Sequence, residues 1–245
     1  MIFQSLISGS SGCCFRVTEG DTTIFIDCGF KAMKRISSQG KHNRTPKQWC
    51  SLRDAIDQYN PVAVFASHIH QDHLPKVAPK LLDEMDVKLY RPDIDGEPLC
   101  VDLGEMLVIR RDATHDPSIR TYCFDVYGGG KHILVVPEGV PGLTYTCDFD
   151  FIYLEANHAK GILEQCKWNM DEQYYRRAGY HMANMAAATL LAGITGATGK
   201  ACPVQIGNIS EKHNTPDLAY STIKPFYPGE ITIAERYTAS KEVEI

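Results

Sequence analysis

Hydrophobic positions in this chain come in short runs broken by glycine, proline or charge, and the period within each run predicts its element. Near the N-terminus, residues 2–7, 14–18 and 22–27 read as three strands, with Glu19-Gly20-Asp21 turning between the second and third. Residues 51–59 read as a helix leading into Pro61-Val62-Ala63-Val64-Phe65-Ala66, an apolar, β-rich run bounded by proline and therefore a buried strand. A short amphipathic helix is expected over 77–85, then strands over 87–90, 99–102, 106–111, 120–126 and 133–136, with Gly128-Gly129-Gly130 as a hairpin turn, and a further strand over 151–154. The remainder turns helical at 159–166, 172–178 and 182–191, followed by a strand at 203–206, a helix at 216–223 and a strand at 231–235. No repeat, linker or low-complexity stretch interrupts the pattern, so residues 1–245 are expected to form a single domain. Two strand-rich halves, each followed by helices, fit an α/β architecture of the four-layer αββα type.

Immediately after the run 61–66 stand Ser67-His68-Ile69-His70-Gln71-Asp72-His73. On an extended backbone alternate side chains share a face, so His68 and His70 point at one ion while the following turn carries Asp72 and His73 toward a second. Imidazoles on one ion, and a carboxylate with an imidazole on the next, suit zinc or manganese. A solvated histidine-rich turn would need no such concentration of ligand-type residues. Two more ligands are needed, on loops that follow strands. His115, after the apolar strand 106–109, is placed to give the first ion a third imidazole, with Asp116 orienting a ligand from behind. Asp148 is placed to bridge both ions, although taken singly these two read as readily as a surface histidine and a turn aspartate.

Composition narrows the class only slightly. With 245 residues, 44% hydrophobic and 22% charged, the chain is an ordinary globular protein. Its net charge of −5 argues against a generally basic nucleic-acid coat. Yet seven Lys or Arg and no acid fall between residues 28 and 53, among them Lys31, Lys34 and Arg35. That segment is either a rail for a phosphodiester backbone or a solvated helix and loop. Similarly, Ser8-Gly9-Ser10-Ser11-Gly12 is either an anion cradle or a plain hairpin turn. Nine cysteines, an odd number with no Cys-x-x-Cys pair, indicate reduced and mostly buried thiols. The N-terminus has no basic residue ahead of its apolar stretch, and the apolar stretch 182–194 is short and broken by Asn184 and Thr189, so a cytoplasmic enzyme without membrane contact is expected. Residues 193–200 superficially resemble a phosphate-binding loop, but the glycine spacing is wrong and a plain loop is expected.

The spacing His-x-His-x-Asp-His after a strand resembles the metallo-β-lactamase (MBL) fold superfamily, and over nearly the whole length the chain is similar to its YycJ/WalJ branch of single-domain DNA exonucleases. The correspondence runs through residues 8–12, 67–73, Thr114-His115-Asp116, Cys147-Asp148, Glu155-Ala156-Asn157-His158 and His181-Met182-Ala183-Asn184. The final motif appears as Asn208-Ile209-Ser210-Glu211-Lys212-His213-Asn214, so Asn208 stands where a histidine usually serves the second metal. Cys13 and Lys76 also depart from the family pattern, where asparagine and glycine are usual. The resemblance implies two divalent ions, Zn2+ or Mn2+, with the second bound less tightly or selecting manganese. The implied ligands are His68, His70, Asp72, His73, His115, Asp148 and Asn208. It further implies that Asp72 orients a metal-bridging hydroxide, that His158 or His181 holds a phosphate oxygen or protonates the leaving alkoxide, and that Ser8, Ser10, Ser11, Asn157, Lys31, Lys34 and Arg35 hold the substrate. The expected activity is a phosphodiesterase or nuclease acting on DNA. The alternatives are hydrolysis of a small ester, lactone or cyclic phosphodiester, or a catalytically decayed metal-binding protein.

Overall fold

Two β-sheets carry the strands of the computed structural model, which describes residues 1–9, 12–30, 52–142 and 148–245. In chain order the strands are β1 (Ile2–Gly9), β2 (Gly12–Glu19), β3 (Thr22–Ile26), β4 (Ala63–Phe65), β5 (Lys88–Tyr90), β6 (Cys100–Asp102), β7 (Met106–Thr114), β8 (Tyr122–Gly128), β9 (Lys131–Val136), β10 (Val140–Pro141), β11 (Phe151–Glu155), β12 (Val204–Gly207), β13 (Ile231–Ile233) and β14 (Val243–Glu244). The helices are α1 (Leu52–Tyr59), α2 (Ala78–Glu84), α3 (Lys160–Cys166), α4 (Glu172–Tyr180), α5 (Asn184–Thr198) and α6 (Pro216–Ile223). One sheet runs β14-β1-β2-β3-β4-β5, the other β10-β7-β8-β9-β11-β12-β13 with β6 on β7.

Side-chain alternation builds the layers. In β3, Ile24 and Ile26 face the gap between the sheets with Phe15 and Phe65, where they meet Phe124, Val135 and Tyr153 of the second sheet. Phe25 and Val64 face outward, under Ala55 and Ile56 of α1 and Leu82 of α2. On the opposite outer face Leu134, Val136, Ile152 and Leu154 lie beneath Ala188 and Leu191 of α5 and Ile223 of α6. The central strands are thus buried on both faces, which is why they read as continuous apolar runs. The expected αββα layering is the observed one. Between the sheets Phe65 stacks on Tyr90 with ring centroids 4.6 Å apart, and truncating it to alanine would cost about 3–5 kcal/mol.

Two boundaries differ in an instructive way. α5 runs through residues 193–198, where the sequence suggested a loop, and ends at Gly199 with φ of 70°. Glycine inside a helix costs about 1 kcal/mol relative to alanine. Here Leu190, Leu191 and Ile194 stay buried against the second sheet across Gly193, so packing outweighs propensity. The short edge strands β10 and β14 carry too few residues to show a period.

Strand direction positions the chemistry. β3 and β4 are parallel to each other, and β9, β11 and β12 are mutually parallel. The loops leaving their C-terminal ends carry Asp27, residues 67–73, Glu138, residues 156–158 and Asn208. Loops at that edge of a parallel sheet are the usual place for a ligand.

Candidate metal centre

The histidine loop is fixed by its backbone before any side chain acts. Cys13 N donates to Asp72 O at 2.8 Å, Cys28 N to His73 O at 2.9 Å and Gly29 N to Cys13 O at 2.9 Å. A β-carbon on Gly29 would lie 1.6 Å from Asp72 O, so only glycine permits this approach. The loop after β4 is therefore clamped between the start of β2 and the loop after β3.

Hydrogen bonds on the far side of each ring then assign its tautomer. Asp27, fully buried at a φ of 58°, accepts from Ser67 N at 2.7 Å, from Ser67 Oγ at 2.9 Å and from His73 Nδ1 at 2.7 Å. Since the Ser67 hydroxyl hydrogen goes to Asp27, its oxygen accepts from His68 Nδ1 at 2.9 Å. His115 Nδ1 donates to Tyr180 O at 3.3 Å. Each of these three rings consequently turns its Nε2 toward one point, the arrangement by which second-sphere acceptors prepare metal-binding imidazoles. Against its burial, Cys13, Asp27 and Glu138 hold His73 well above the ordinary histidine value until a metal displaces the proton.

At that point lies Glu138, from the turn after β9. Its Oε2 is 2.7 Å from His68 Nε2, 3.1 Å from His115 Nε2 and 3.5 Å from His73 Nε2. Nevertheless this oxygen and His73 Nε2 are buried without a hydrogen bond among the described residues. His70 Nδ1 lies 3.0 Å from His68 Nε2. Donor atoms of His68, His70, His115 and Glu138 all fall within 4.8 Å of one another. Ligands of a tetrahedral zinc at 2.0–2.1 Å stand about 3.3 Å apart, so these close approaches between lone pairs fit a shared cation. Burial lowers His115 to about 4 despite the pull of Glu138, and also holds His70 below its ordinary value. Both rings are neutral at neutral pH, as ligation requires.

The other oxygen of Glu138 faces a second group. His181 Nδ1 lies 2.7 Å from Glu138 Oε1 and 2.7 Å from Glu155 Oε1. Asn208 Nδ2 donates to the same two oxygens at 3.1 and 2.9 Å. Glu155 Oε2 accepts from Gly139 N and Met182 N, locking the three loops together. Burial raises Glu155, whereas Glu138, despite its burial, is held well below the usual carboxylate range by His181, His73 and His68. Against burial, the same two carboxylates hold the His181 imidazolium well above the ordinary histidine value.

Asp72 is half-buried and lines, with His70, His115, Asp116 and His181, a cavity of about 510 Å³ that opens beside the cluster. Asp148 requires a correction. It precedes β11, is exposed, and its carbonyl accepts from His132 Nδ1 near the start of β9. Four strand steps carry β9 from His132 to Val136, about 13 Å at 3.3 Å per residue, before Pro137 leads to Glu138. Asp148 therefore sits at the opposite edge from the histidines, and Glu138 occupies the place expected of it. Ser8 is likewise directed inward, with its hydroxyl on Tyr153 OH at 2.8 Å and accepting from Asn208 N at 2.8 Å. Asn157 clips the loops, donating from Nδ2 to Asn208 O at 2.7 Å. His158 is buried behind His181, and burial, with His181 and His213 adding, lowers it to about 4. Ser10, Ser11, Lys31, Lys34 and Arg35 lie outside the described residues. Glu138 and Asp27 were not singled out in the sequence, although Asp27 directly follows an apolar strand and Glu138 follows one after a single proline. That position was the available signal.

No family model matches the chain, and no curated protein matches it by sequence. Solved structures match along its whole length. The metallo-β-lactamase fold protein YhfI from Bacillus subtilis superposes with a TM-score of 0.66 at 14% identity, covering 98% of this chain and 100% of that one. Zn2+-bound PqqB from Methylobacterium extorquens gives 0.60 at 11% identity, over 98% and 100%. The short form of human tRNase Z gives 0.56 at 12% identity, over 100% of both. The chain has the metallo-β-lactamase fold. Among the described residues no helix is long and apolar enough to cross a membrane.

Proposed function

We propose that this protein is a cytoplasmic metal-dependent hydrolase of phosphodiesters, a nuclease acting on DNA in the manner of the YycJ/WalJ branch. The observation that carries the reading is Glu138 Oε2, buried and without a hydrogen bond among three imidazole nitrogens. His68, His70, His115 and Glu138 would hold one divalent ion, zinc or manganese. Glu138, His73 and Asp72, with the amide of Asn208, would hold a second. Such ions would polarise a phosphoryl oxygen and lower the pKa of a water.

The chain's own groups do the rest. Asp72, at the cavity wall, orients the attacking water. His181 keeps its Nδ1 proton on Glu138 and Glu155, so its Nε2–H is free to protonate the leaving alkoxide, the role of a general acid. Asp27 and Ser67 fix the rings of His68 and His73. The neighbouring fold of tRNase Z favours a nucleic-acid substrate by analogy of fold.

The test is release of nucleotides from 5'-phosphorylated single-stranded and duplex DNA with Mn2+, together with hydrolysis of bis(p-nitrophenyl) phosphate. Asp72→Ala should abolish both activities. Silence of the wild-type protein on every diester would end the proposal. A second reading, hydrolysis of a small ester, lactone or cyclic phosphodiester, is supported by the cavity of about 510 Å³, a size typical of small-molecule sites. Turnover of such compounds without any action on DNA would select it.

A further inference from the structure

We propose that the helical hairpin α3–α4 is a holding surface for a single strand of nucleic acid, gripping a phosphate with Arg177 and stacking a base on Trp168. This rests on the phosphodiesterase reading and names the form of its substrate.

The hairpin leads directly into the catalytic loops. Its last residue, Tyr180, accepts the His115 Nδ1 hydrogen bond, and His181 follows. Arg177, one helical turn before His181, lines the same cavity as His70, Asp72, His115 and Asp116. No described carboxylate pairs with it, and among the described residues no other Lys or Arg lines that cavity. An anionic group entering beside the histidines therefore meets a free guanidinium.

A second depression on the hairpin carries aromatic and cationic groups. Trp168, in the turn Lys167–Asn169, is 90% exposed. Burying a tryptophan would stabilise the fold, so an indole left in water within an ordered turn calls for a ligand. Around it lies a depression of about 530 Å³ with Lys167, Met170, Glu172, Tyr175 and Arg176. Lys167 Nζ stands 5.3 Å over the Tyr175 ring, and Lys212 Nζ 5.1 Å over the Tyr174 ring. The acids of the hairpin are already engaged: Glu172 pairs with Arg176 at 3.2 Å, Glu164 with Lys160 at 3.9 Å, and Asp171 caps α4 by accepting from Tyr174 N. What remains beside the aromatic faces is Lys167 and Lys212, cations with no described acidic partner, the pairing by which single strands are bound without sequence preference. From Glu172 to Arg177 the helix rises about 7.5 Å, roughly the length of two stacked nucleotides.

The experiment uses the full-length, metal-loaded protein and a fluorescein-labelled, phosphorothioate single-stranded DNA 12-mer, read by anisotropy. Base stacking of about 1–3 kcal/mol per base corresponds to a 5- to 150-fold change in affinity. Trp168→Ala should weaken binding by about tenfold or more, and Trp168→Phe should restore most of it. Arg177→Ala should lower the slope of log K against log salt by about 0.7, the value for one phosphate of a single strand. A blunt duplex should show little dependence on Trp168, because its bases are already stacked. Binding of the single strand that changes less than twofold in Trp168→Ala overturns the proposal, as does a wild-type protein that does not bind the 12-mer. Hydrolysis of bis(p-nitrophenyl) phosphate, read in parallel, keeps the two claims apart. Turnover without strand binding removes the hairpin role and leaves a phosphodiesterase, while Trp168-dependent strand binding without turnover of any diester does the reverse.

Discussion

Replacing Asp27 by asparagine should disarm the site without touching any residue that faces it. Asn is nearly isosteric and tolerates the φ of 58° at this position, whereas alanine would add backbone strain of about 1–2 kcal/mol and confuse the result. One amide oxygen can still accept from Ser67 N. The amide nitrogen, however, would face His73 Nδ1 and Ser67 Oγ, which lie 2.7 and 2.9 Å from the present carboxylate oxygen. Two donors cannot share that contact, so His73 must move its proton to Nε2, the atom now turned toward Glu138. Ser67 must reverse its hydroxyl to accept from the amide, which disturbs the bond to His68 Nδ1. A hydrogen bond to a charged group is worth about 1.5–3 kcal/mol, or about 10- to 150-fold in metal affinity at 1.4 kcal/mol per tenfold. This agrees with the roughly 10- to 100-fold losses seen when outer partners of metal-bound histidines are removed. Competition with a chromophoric chelator measures the zinc affinity, and long-range nitrogen–proton correlation spectra report the tautomer of each imidazole. The weaker of two binding steps should lose more than the stronger, because His73, which loses its acceptor outright, is the imidazole proposed for the second ion. Zinc affinities within threefold of wild type at both steps, or a His73 that keeps its Nδ1 proton, would refute the reasoning.

Other consequences follow from the same geometry. Glu138→Gln leaves four imidazoles without the carboxylate they surround, and bound metal after dialysis should fall below one equivalent by elemental analysis; a full equivalent retained would contradict the role assigned to Glu138. Asn208→Asp sets a third carboxylate against Glu138 and Glu155, so the melting temperature in EDTA should drop, by about 1–3 kcal/mol in stability, and added Zn2+ should recover more degrees than it does in wild type. His158, lowered to about 4 by burial and by His181 and His213, takes up its proton more readily when unfolded, at the ordinary value near 6.5. Its contribution is therefore complete above pH 6.5 and lost as the pH falls from 6.5 toward 4, at most about 3 kcal/mol at 1.36 kcal/mol per pH unit. Urea denaturation of the metal-free protein across that interval should show the decline, and His158→Gln should flatten it; identical slopes in the two proteins would refute this account.

Which parts of the fold and site could be read from the residues depends on how local their cause is. The apolar runs 61–66, 133–136 and 151–154 announce β4, β9 and β11 because burial on both faces leaves no room for polar alternation. His68, His70 and His73 are equally visible, since one short loop carries them all. His115 and His181 come to the same place from elsewhere in the chain, and the structure brings both to Glu138. The bridging position is different in kind. A carboxylate before a strand and one after it look alike in sequence, and only strand direction separates Asp148 from Glu138. Had β9 and β11 been known to run parallel, the acids to examine were those following strands: Asp27 after Ile26, Glu138 after Val136 and Glu155 at the end of β11. All three prove to hold the cluster.

The same reasoning accounts for the asparagine at position 208. A histidine there would bring another imidazole beside His181, whereas the amide of Asn208 donates to Glu138 and Glu155 together. Those two carboxylates stand close enough to share the His181 proton, and a neutral donor between them relieves part of their repulsion. The φ of 49° at Asn208 is also one that asparagine adopts more readily than histidine. Asparagine at 208 is therefore coupled to the carboxylate pair, and the two belong to one arrangement: Glu155 directs the His181 proton, Glu138 faces both groups of side chains, and Asn208 holds the pair in place.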